Sequence, residues 1–140
     1  MDAIYTAEAL ATGGGRNGHV TTSDGTLDLD LRVPTQMGGA GGGANPELLF
    51  AAGYAGCFHG ALQAVAREQK VEIHDSSVGA RVHIGSNGEG GFGLAVELEV
   101  NLPGVEAETA QRLADAAHQV CPYSNATRGN IEVTVSVVED

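Results

Sequence analysis

Hydrophobic and polar positions alternate near both ends of the chain, and longer apolar runs lie between them. Residues 4–10, IYTAEAL, alternate as a half-buried strand does. The stretch HVTTSDGTLDLDLRV contains two alternating runs around Asp24-Gly25, a dipeptide that suits a tight hairpin turn. Residues 38–44 are too rich in glycine for the interior of an element. We therefore predict three opening strands followed by a flexible loop.

A long helix is predicted to begin directly after this loop. Asn45 suits the N-cap position, Pro46 the first turn, and Glu47 the positive end of the helix dipole. Residues 47–70 are apolar on most faces until the last two turns, which predicts a central buried helix. Small residues along this helix would allow a second helix to approach closely. They are Ala51, Ala52, Gly53, Ala55, Gly56 and Gly60.

The second half of the chain repeats the change from strands to helix. Residues 77–85 and 92–102 alternate as two strands, and a Gly-rich turn separates them. Residues 105–120 form an amphipathic pattern that Pro122 should stop, and residues 131–139 alternate as a last strand. The predicted order is βββ-α-ββ-α-β. It indicates an α+β fold with largely antiparallel sheets around a central long helix, in a single domain spanning residues 1–140.

Composition and charge narrow the function classes. The chain has 140 residues and a formal net charge of -11, which disfavours nucleic acid and anionic membrane as partners. No run approaches the roughly 20 apolar residues of a membrane span, and the start of the sequence lacks the pattern of a signal peptide. We therefore expect a cytoplasmic location. In a reducing compartment, a pair of cysteines points to catalysis or redox sensing more than to a permanent disulfide.

The two cysteines occupy different places in the predicted helices. Cys57 lies midway along the long helix, and Cys121 lies beside Pro122 where the second helix ends. Both could simply be small buried hydrophobic residues, since free cysteine is among the most buried residue types. A helix end, however, fixes the backbone and leaves side chains reachable, so the residues alone leave both interpretations open.

Two segments around these cysteines resemble a known family. NPELLFAAGYAGCF and AHQVCPYSNATRGNI are similar to the signature segments of the organic hydroperoxide resistance proteins, the Ohr branch of the OsmC/Ohr superfamily. TAEALATGGGRNG, GGAGGGANPE and IEVTVSV follow the family's order, so the resemblance covers the whole chain. It implies a cytoplasmic, interlocked homodimer that reduces organic and fatty-acid hydroperoxides. It also implies no bound cofactor, and recycling by an external dithiol, either dihydrolipoamide or a lipoylated protein.

The resemblance also implies roles for four residues. Cys57 matches the peroxidatic cysteine and Cys121 the resolving cysteine. Arg16, in GGGRNG, matches the arginine that pairs with the peroxidatic thiolate, and Glu47 matches the glutamate that holds this arginine. The chain departs from the family pattern in an additional glycine before Arg16. It also departs at Gly56 and His59, which would make the wall near Cys57 more polar.

Helix geometry adds a constraint to these roles. Glu47 and Cys57 are ten positions apart, so about 15 Å of helix separates them at a rise of about 1.5 Å per residue. One Glu47 therefore cannot easily serve its own Cys57. We predict a composite site to which a second subunit contributes Glu47, with a break in the helix as the alternative.

Three other functions are consistent with parts of the sequence. Cys57, His59, His118 and Cys121 could form a zinc site, although residues two apart on a helix point in different directions. The chain could instead carry apolar acyl ligands or sense oxidation without turning over peroxide. Within the same superfamily, the OsmC branch shares the cysteines and has a different substrate preference.

Overall fold

The computed structural model describes residues Met1–Val138 and places them in two compact units, one up to Leu49 and one from Phe50 onward. The elements of the first unit are β1 (Ala9–Gly14), β2 (Asn17–Thr22), β3 (Asp28–Asp30) and a short 3-10 turn (Thr35–Met37). Helix α1 (Pro46–Glu68) begins in this unit and continues into the second. The second unit then contains β4 (Ser77–Ser86), β5 (Phe92–Asn101), α2 (Ala107–Val120), α3 (Pro122–Thr127) and β6 (Glu132–Val137).

The fold class agrees with the sequence prediction. Each unit carries a three-stranded sheet, in the orders β1-β2-β3 and β4-β5-β6. The first sheet is antiparallel throughout, whereas β6 pairs with β5 in the parallel direction. The parallel pair follows from the helical connection through α2 and α3, because parallel neighbours need a long crossover. The expectation of a single domain remains a prediction.

The first strand lies later in the chain than predicted. Residues 4–8 form no strand, and Ile4 and Tyr5 are exposed. The reason is the hairpin turn at Gly15-Arg16, which pairs Gly14 with Asn17 and ends the ladder at the pairing of Ala9 with Thr22. The prediction of a half-buried strand over residues 4–10 was therefore wrong in position and in burial. The predicted hairpin around Asp24-Gly25 is confirmed between β2 and β3.

Helix α1 begins as predicted. The side chain of Asn45 accepts a hydrogen bond of 2.8 Å from the backbone N–H of Leu48, and Pro46 is the first helical residue. The helix is unbroken to Glu68, so the alternative of a helix break is wrong. Its length and apolar composition would suffice to cross a membrane, contrary to the sequence-based expectation; the core helix of a soluble protein meets the same test.

Only one face of α1 is buried. The buried residues recur at helical spacing, so they form a single stripe. They are Tyr54, Phe58, Leu62, Val65 and Ala66. The opposite face, with Ala52, Gly56 and Gly60, is exposed. The prediction of a helix buried on most faces therefore overstated its burial in the single chain.

The core of the second unit forms between helices and one face of the sheet. Every second residue of β5 points to the same side of the sheet. Three of these residues are fully buried: Val96, Leu98 and Val100. They share one apolar cluster with the buried stripe of α1 and with Leu113 of α2. The cluster also contains Cys121, so one of the two cysteines belongs to the core. The predicted last strand is confirmed over Glu132–Val137, and Glu139, its predicted end, lies outside the described residues.

Two neighbouring substitutions in β5 test this one-sided burial. Leu98→Ala should lower the free energy of unfolding by about 2 to 5 kcal/mol, because it leaves a cavity in the core. Glu97→Ala should lower the free energy of unfolding by less than about 1 kcal/mol, because Glu97 is exposed and pairs with His83 at the surface. Urea denaturation measures both values. Equal costs would contradict the assignment of the two faces.

Candidate active site

Cys57 and Cys121 lie together in the second unit. Their sulfur atoms are 3.5 Å apart although the residues are 64 positions apart in the sequence, and both thiols are free. A disulfide requires a sulfur–sulfur distance of about 2.05 Å, so the sulfurs would have to approach by about 1.5 Å. Cys121 is fully buried and Cys57 is half-buried. The arrangement is therefore suited to forming a disulfide, with Cys57 as the more accessible sulfur.

The backbone around Cys121 explains its position. Helix α2 ends at Val120, and Cys121 adopts an extended conformation with φ −63° and ψ 123°. Pro122 disfavours helical geometry at the residue before it, which accounts for this break. The N–H of Cys121 still donates to Ala117 at 2.9 Å, and its carbonyl accepts from Asn125 at 3.0 Å. Cys121 is thus tied to the end of one helix and to the start of the next.

Helix α3 was missed by the sequence analysis, which predicted no helix between Pro122 and the last strand. Pro122 is the first residue of this helix, a position where its missing N–H costs nothing. The predicted stop of the preceding helix is confirmed at Val120. The proline therefore ends one helix and starts another, and Cys121 occupies the corner between them.

Three influences, acting in opposite directions, set the pKa of the Cys57 thiol. Burial raises the pKa of Cys57, a hydrogen bond from the backbone of Tyr123 lowers it, and the neighbouring Cys121 raises it again. The net result is a pKa above the ordinary value. In this arrangement the neutral thiol is favoured, so a reactive thiolate requires additional positive charge.

Arg16 and Glu47 form a second pair, in the first unit. The two guanidinium nitrogens of Arg16 donate to the two carboxylate oxygens of Glu47 at 2.9 and 2.8 Å. The Arg16 side chain is 41% exposed and that of Glu47 is 14% exposed. The hydrogen bond from Arg16 lowers the pKa of Glu47, and the same bond raises the pKa of Arg16. Glu47 is therefore ionised, and it holds the guanidinium in one orientation.

Turn and cap residues place this ion pair. Arg16 is the second residue of the two-residue turn between β1 and β2, and Gly15 before it has a φ of +66°. A II′-type hairpin turn requires glycine at that first position. Glu47 lies in the first turn of α1, beside the cap made by Asn45. The glycine before Arg16, which departs from the family pattern, thus belongs to the turn that presents the arginine.

An aromatic cluster lies near the cysteine pair. The ring centroids of Phe50, Tyr54 and Tyr123 are 5.6 to 5.9 Å apart. Gly53 permits this packing, because a Cβ atom there would lie 2.8 Å from the Tyr123 hydroxyl. A cavity of about 420 Å³ adjoins the cluster. It is lined by Phe50, Leu94, Tyr123, Ala126, Thr127, Asn130 and Ile131.

The four residues of the suggested zinc site do not form one cluster. His59 shares a hydrogen bond of 2.9 Å with Ser76, and His118 one of 2.8 Å with Ser124. Within Met1–Val138 there is no group of three or more His, Cys, Asp or Glu side chains placed to hold a metal ion. The structure therefore brings Cys57 and Cys121 together, but it does not place His59 and His118 with them as a set of metal ligands.

Comparison with known proteins defines the family. The profile of the family described as OsmC-like protein matches residues 39–136. An organic hydroperoxide resistance protein of Xanthomonas axonopodis pv. citri is 54% identical over 136 residues, covering 96% of this chain and 94% of the relative. The chain belongs to the OsmC/Ohr family.

Solved structures of Ohr proteins share the fold. An organic hydroperoxide resistance protein from Elizabethkingia anophelis, with thiocyanate bound, has a TM-score of 0.95 and 53% identity, and all of both chains is covered. OhrB of Bacillus subtilis has a TM-score of 0.88 and 47% identity, covering 97% of this chain and all of that one. The identities place this chain among the Ohr proteins by sequence as well as by fold.

The Arg16–Glu47 pair should make stability depend on pH. Because the folded-state pKa of Glu47 is lowered, its stabilisation is present above the ordinary glutamate pKa and is lost as pH falls through the folded value. Glu47→Gln should therefore lower the free energy of unfolding by about 1 kcal/mol at pH 7, and by progressively less below about pH 4. Thermal or urea unfolding across pH 3 to 8 measures this difference.

Glu99→Gln is the matched control for that measurement. Glu99 pairs with Arg81 on the outer face of the second sheet, where both side chains are exposed. Its cost at pH 7 should be smaller than that of Glu47→Gln. A cost of Glu47→Gln that stayed constant down to pH 3 would contradict the ionised pair.

Proposed function

We propose that this protein is a two-cysteine thiol peroxidase that reduces organic and fatty-acid hydroperoxides to alcohols. One observation carries the proposal: the free sulfurs of Cys57 and Cys121 lie 3.5 Å apart, with Cys57 half-buried and Cys121 in the core. The organic hydroperoxide resistance proteins that it resembles at 48 to 54% identity support the same substrate class.

Cys57 begins the reaction in this mechanism. Its thiolate attacks one oxygen of the hydroperoxide, the O–O bond breaks, and the departing alkoxide takes a proton to become the alcohol. The product on the protein is a sulfenic acid at Cys57. The half-buried position supports this role, because the attacking thiol must meet substrate whereas a fully buried one cannot.

Cys121 completes the oxidation. Its sulfur attacks the sulfenic sulfur of Cys57, water leaves, and a disulfide forms between the two residues. The cycle then needs an external dithiol, which reduces the disulfide between Cys57 and Cys121 and is itself oxidised to a disulfide. From the family resemblance we propose dihydrolipoamide or a lipoylated protein as this reductant, with the reaction taking place in the cytoplasm.

The positive charge for the thiolate comes, in this proposal, from Arg16. Burial leaves the pKa of Cys57 above its ordinary value, so the thiolate needs a cation. A guanidinium stays charged and has five N–H donors, so it can bind Glu47 and still donate to a thiolate and to the departing oxygen. Glu47 then acts as the positioning residue for Arg16.

A second copy of the chain supplies this pair in the proposed homodimer. Helix α1 is unbroken, so about 15 Å of helix separates Glu47 from Cys57. The exposed face of the same helix carries Ala52, Gly56 and Gly60, small residues that allow another helix to approach. These two features support a two-fold assembly in which Arg16 and Glu47 of one chain serve Cys57 of the other.

The aromatic cavity supports an apolar substrate. Its volume of about 420 Å³ is within the range of small-molecule sites, and its lining is mostly hydrophobic. Tyr123 lines the cavity and lies two positions after Cys121. We propose that the alkyl part of the hydroperoxide occupies this cavity, while the net charge of -11 disfavours polyanionic substrates.

The peroxidase proposal is tested by counting thiols. Pre-reduced protein is mixed with a fatty-acid hydroperoxide, and peroxide consumption is followed for wild type, Cys57→Ser and Cys121→Ser. Wild type should lose two thiols for each peroxide reduced. Cys57→Ser should fall to the uncatalysed rate, and Cys121→Ser should turn over once and stop as a sulfenic acid that dimedone traps. Consumption by Cys57→Ser at the wild-type rate would overturn the proposal.

The role of Arg16 is tested by Arg16→Met. Loss of the positive charge should lower the rate of the first oxidation by about 10²-fold. It should also move the pH midpoint of Cys57 alkylation upward, because the thiolate becomes harder to form. Arg81→Met removes an arginine from an exposed ion pair and should change neither value more than about twofold. Equal effects of the two substitutions would contradict the role of Arg16.

Co-expression of two inactive variants separates a composite site from an internal one. A heterodimer of Arg16→Met with Cys57→Ser contains one intact combination only if Arg16 of one chain serves Cys57 of the other. Restored activity in the purified heterodimer is the expected result. No restoration, with each chain shown to be present, would assign Arg16 to its own chain.

A further inference from the structure

A chain of buried hydroxyl groups runs beside the cysteine pair. Ser124 and Tyr54 are fully buried, and their oxygens are 2.8 Å apart. Tyr54 also lies 3.2 Å from the hydroxyl of Thr127, and Ser124 lies 2.8 Å from Nδ1 of His118. The proposed peroxide chemistry uses none of these four side chains. Buried hydroxyl groups destabilise the fold unless each of them has hydrogen-bond partners.

The number of protons gives the chain one direction. The Thr127 hydroxyl faces the carbonyls of Tyr123 and Ser124, at 3.0 and 3.2 Å, and with its proton directed to them Tyr54 is the donor towards Thr127. Ser124 must then donate to Tyr54, and His118 must donate to Ser124 from Nδ1. Each hydroxyl accepts one hydrogen bond and donates one. Every hydroxyl group of the series therefore has both a donor and an acceptor when the proton of His118 is on Nδ1.

The hydroxyl chain links the same helices that carry the two sulfurs. Tyr54 lies three positions before Cys57 on α1. His118 and Ser124 lie three positions before and after Cys121, on α2 and α3. A spacing of three places side chains on neighbouring parts of one helix face. The polar contacts thus join α1 to both helices that meet at Cys121, about one turn from the sulfur pair.

We propose that the chain His118–Ser124–Tyr54–Thr127 positions Cys121 against Cys57 and thereby decides whether the sulfenic acid of Cys57 closes to a disulfide or is oxidised further. These are positioning residues, because they act through Cys121 and do not touch the reacting oxygen. The inference rests on the proposed function and adds a determinant of its second step.

Two reactions compete for the sulfenic acid. In one, the Cys121 sulfur displaces hydroxide from the Cys57 sulfur, a proton from the Cys121 thiol completes the water, and the disulfide forms. In the other, a second hydroperoxide transfers one oxygen to Cys57 and leaves as its alcohol, which produces the irreversible sulfinic acid. The first reaction is intramolecular and depends on geometry, whereas the second depends on peroxide concentration. Looser positioning of Cys121 slows only the first.

The test measures this partition in the full-length protein. Pre-reduced wild type, Tyr54→Phe and Ser124→Ala are mixed with a tenfold excess of cumene hydroperoxide, and mass spectrometry measures sulfinic acid and disulfide at Cys57. Both variants should raise the ratio of sulfinic acid to disulfide about tenfold, because misplacement of reacting groups by about 1 Å has effects of that order or more. The rate of the first oxidation should stay within about twofold of wild type.

Ser76→Ala is the matched control. Ser76 also binds a histidine of α1, His59, through one hydrogen bond of 2.9 Å, but that bond does not reach the helices at Cys121. This variant should keep the wild-type ratio. A rise as large as that of Tyr54→Phe would show that any loosening of α1 has the effect, and would overturn the specific role of the hydroxyl chain.

Folding and function are separated by two further readouts. Near-ultraviolet circular dichroism reports whether each variant is folded, and His118→Leu, which removes the donor to Ser124 without changing the cavity lining, replaces any variant that is not. His118→Leu should raise the ratio about threefold. Folded variants with the wild-type ratio would overturn this inference alone. A wild type that forms no disulfide with peroxide would instead overturn the proposed function.

Discussion

The candidate site depends on the extended residue at the corner between α2 and α3. Pro122 prevents Cys121 from continuing the helix, yet both backbone groups of Cys121 remain hydrogen-bonded to neighbouring helical residues. A cysteine inside a regular helix would have its direction set by the helix alone. At the corner, its backbone is hydrogen-bonded to both helices, which fixes the direction in which its side chain leaves the backbone. The 3.5 Å separation from the Cys57 sulfur is a consequence of that position.

Burial of Cys121 has a chemical cost as well as a structural benefit. It places the sulfur in the apolar core, and the same surroundings raise the pKa of Cys57 through burial. Close packing of the two sulfurs is favoured by an apolar environment, whereas formation of the Cys57 thiolate is favoured by a polar or positively charged one. In the proposed mechanism the Arg16–Glu47 pair of a second copy meets both demands, since an oriented guanidinium supplies charge without replacing core residues.

The hydroxyl chain adds a second set of contacts among the helices that carry the two sulfurs. A buried polar network contributes to specificity only if every group is paired, and proton counting shows that this one is. Gly53 also shapes this region, because the absence of a side chain lets the Tyr123 ring pack against α1. The surroundings of the two sulfurs are thus determined by packing and by hydrogen bonds, and neither is local in sequence.

The sequence by itself determined the elements that local chemistry specifies: the cap at Asn45, the long helix, the strand pair after it and the stop before Pro122. Two long segments with characteristic cysteines also sufficed to identify the family. Only the tertiary structure decided the start of β1, the parallel pairing of β6, helix α3 and the hydroxyl chain. The start of β1 follows from the register of its hairpin with β2, and α3 begins because Pro122 can start a helix as well as end one. The pairing of β6, the sulfur pair and the hydroxyl chain depend on partners far away in the sequence, 64 positions for the sulfurs and 70 for Tyr54 and Ser124, which no local pattern records.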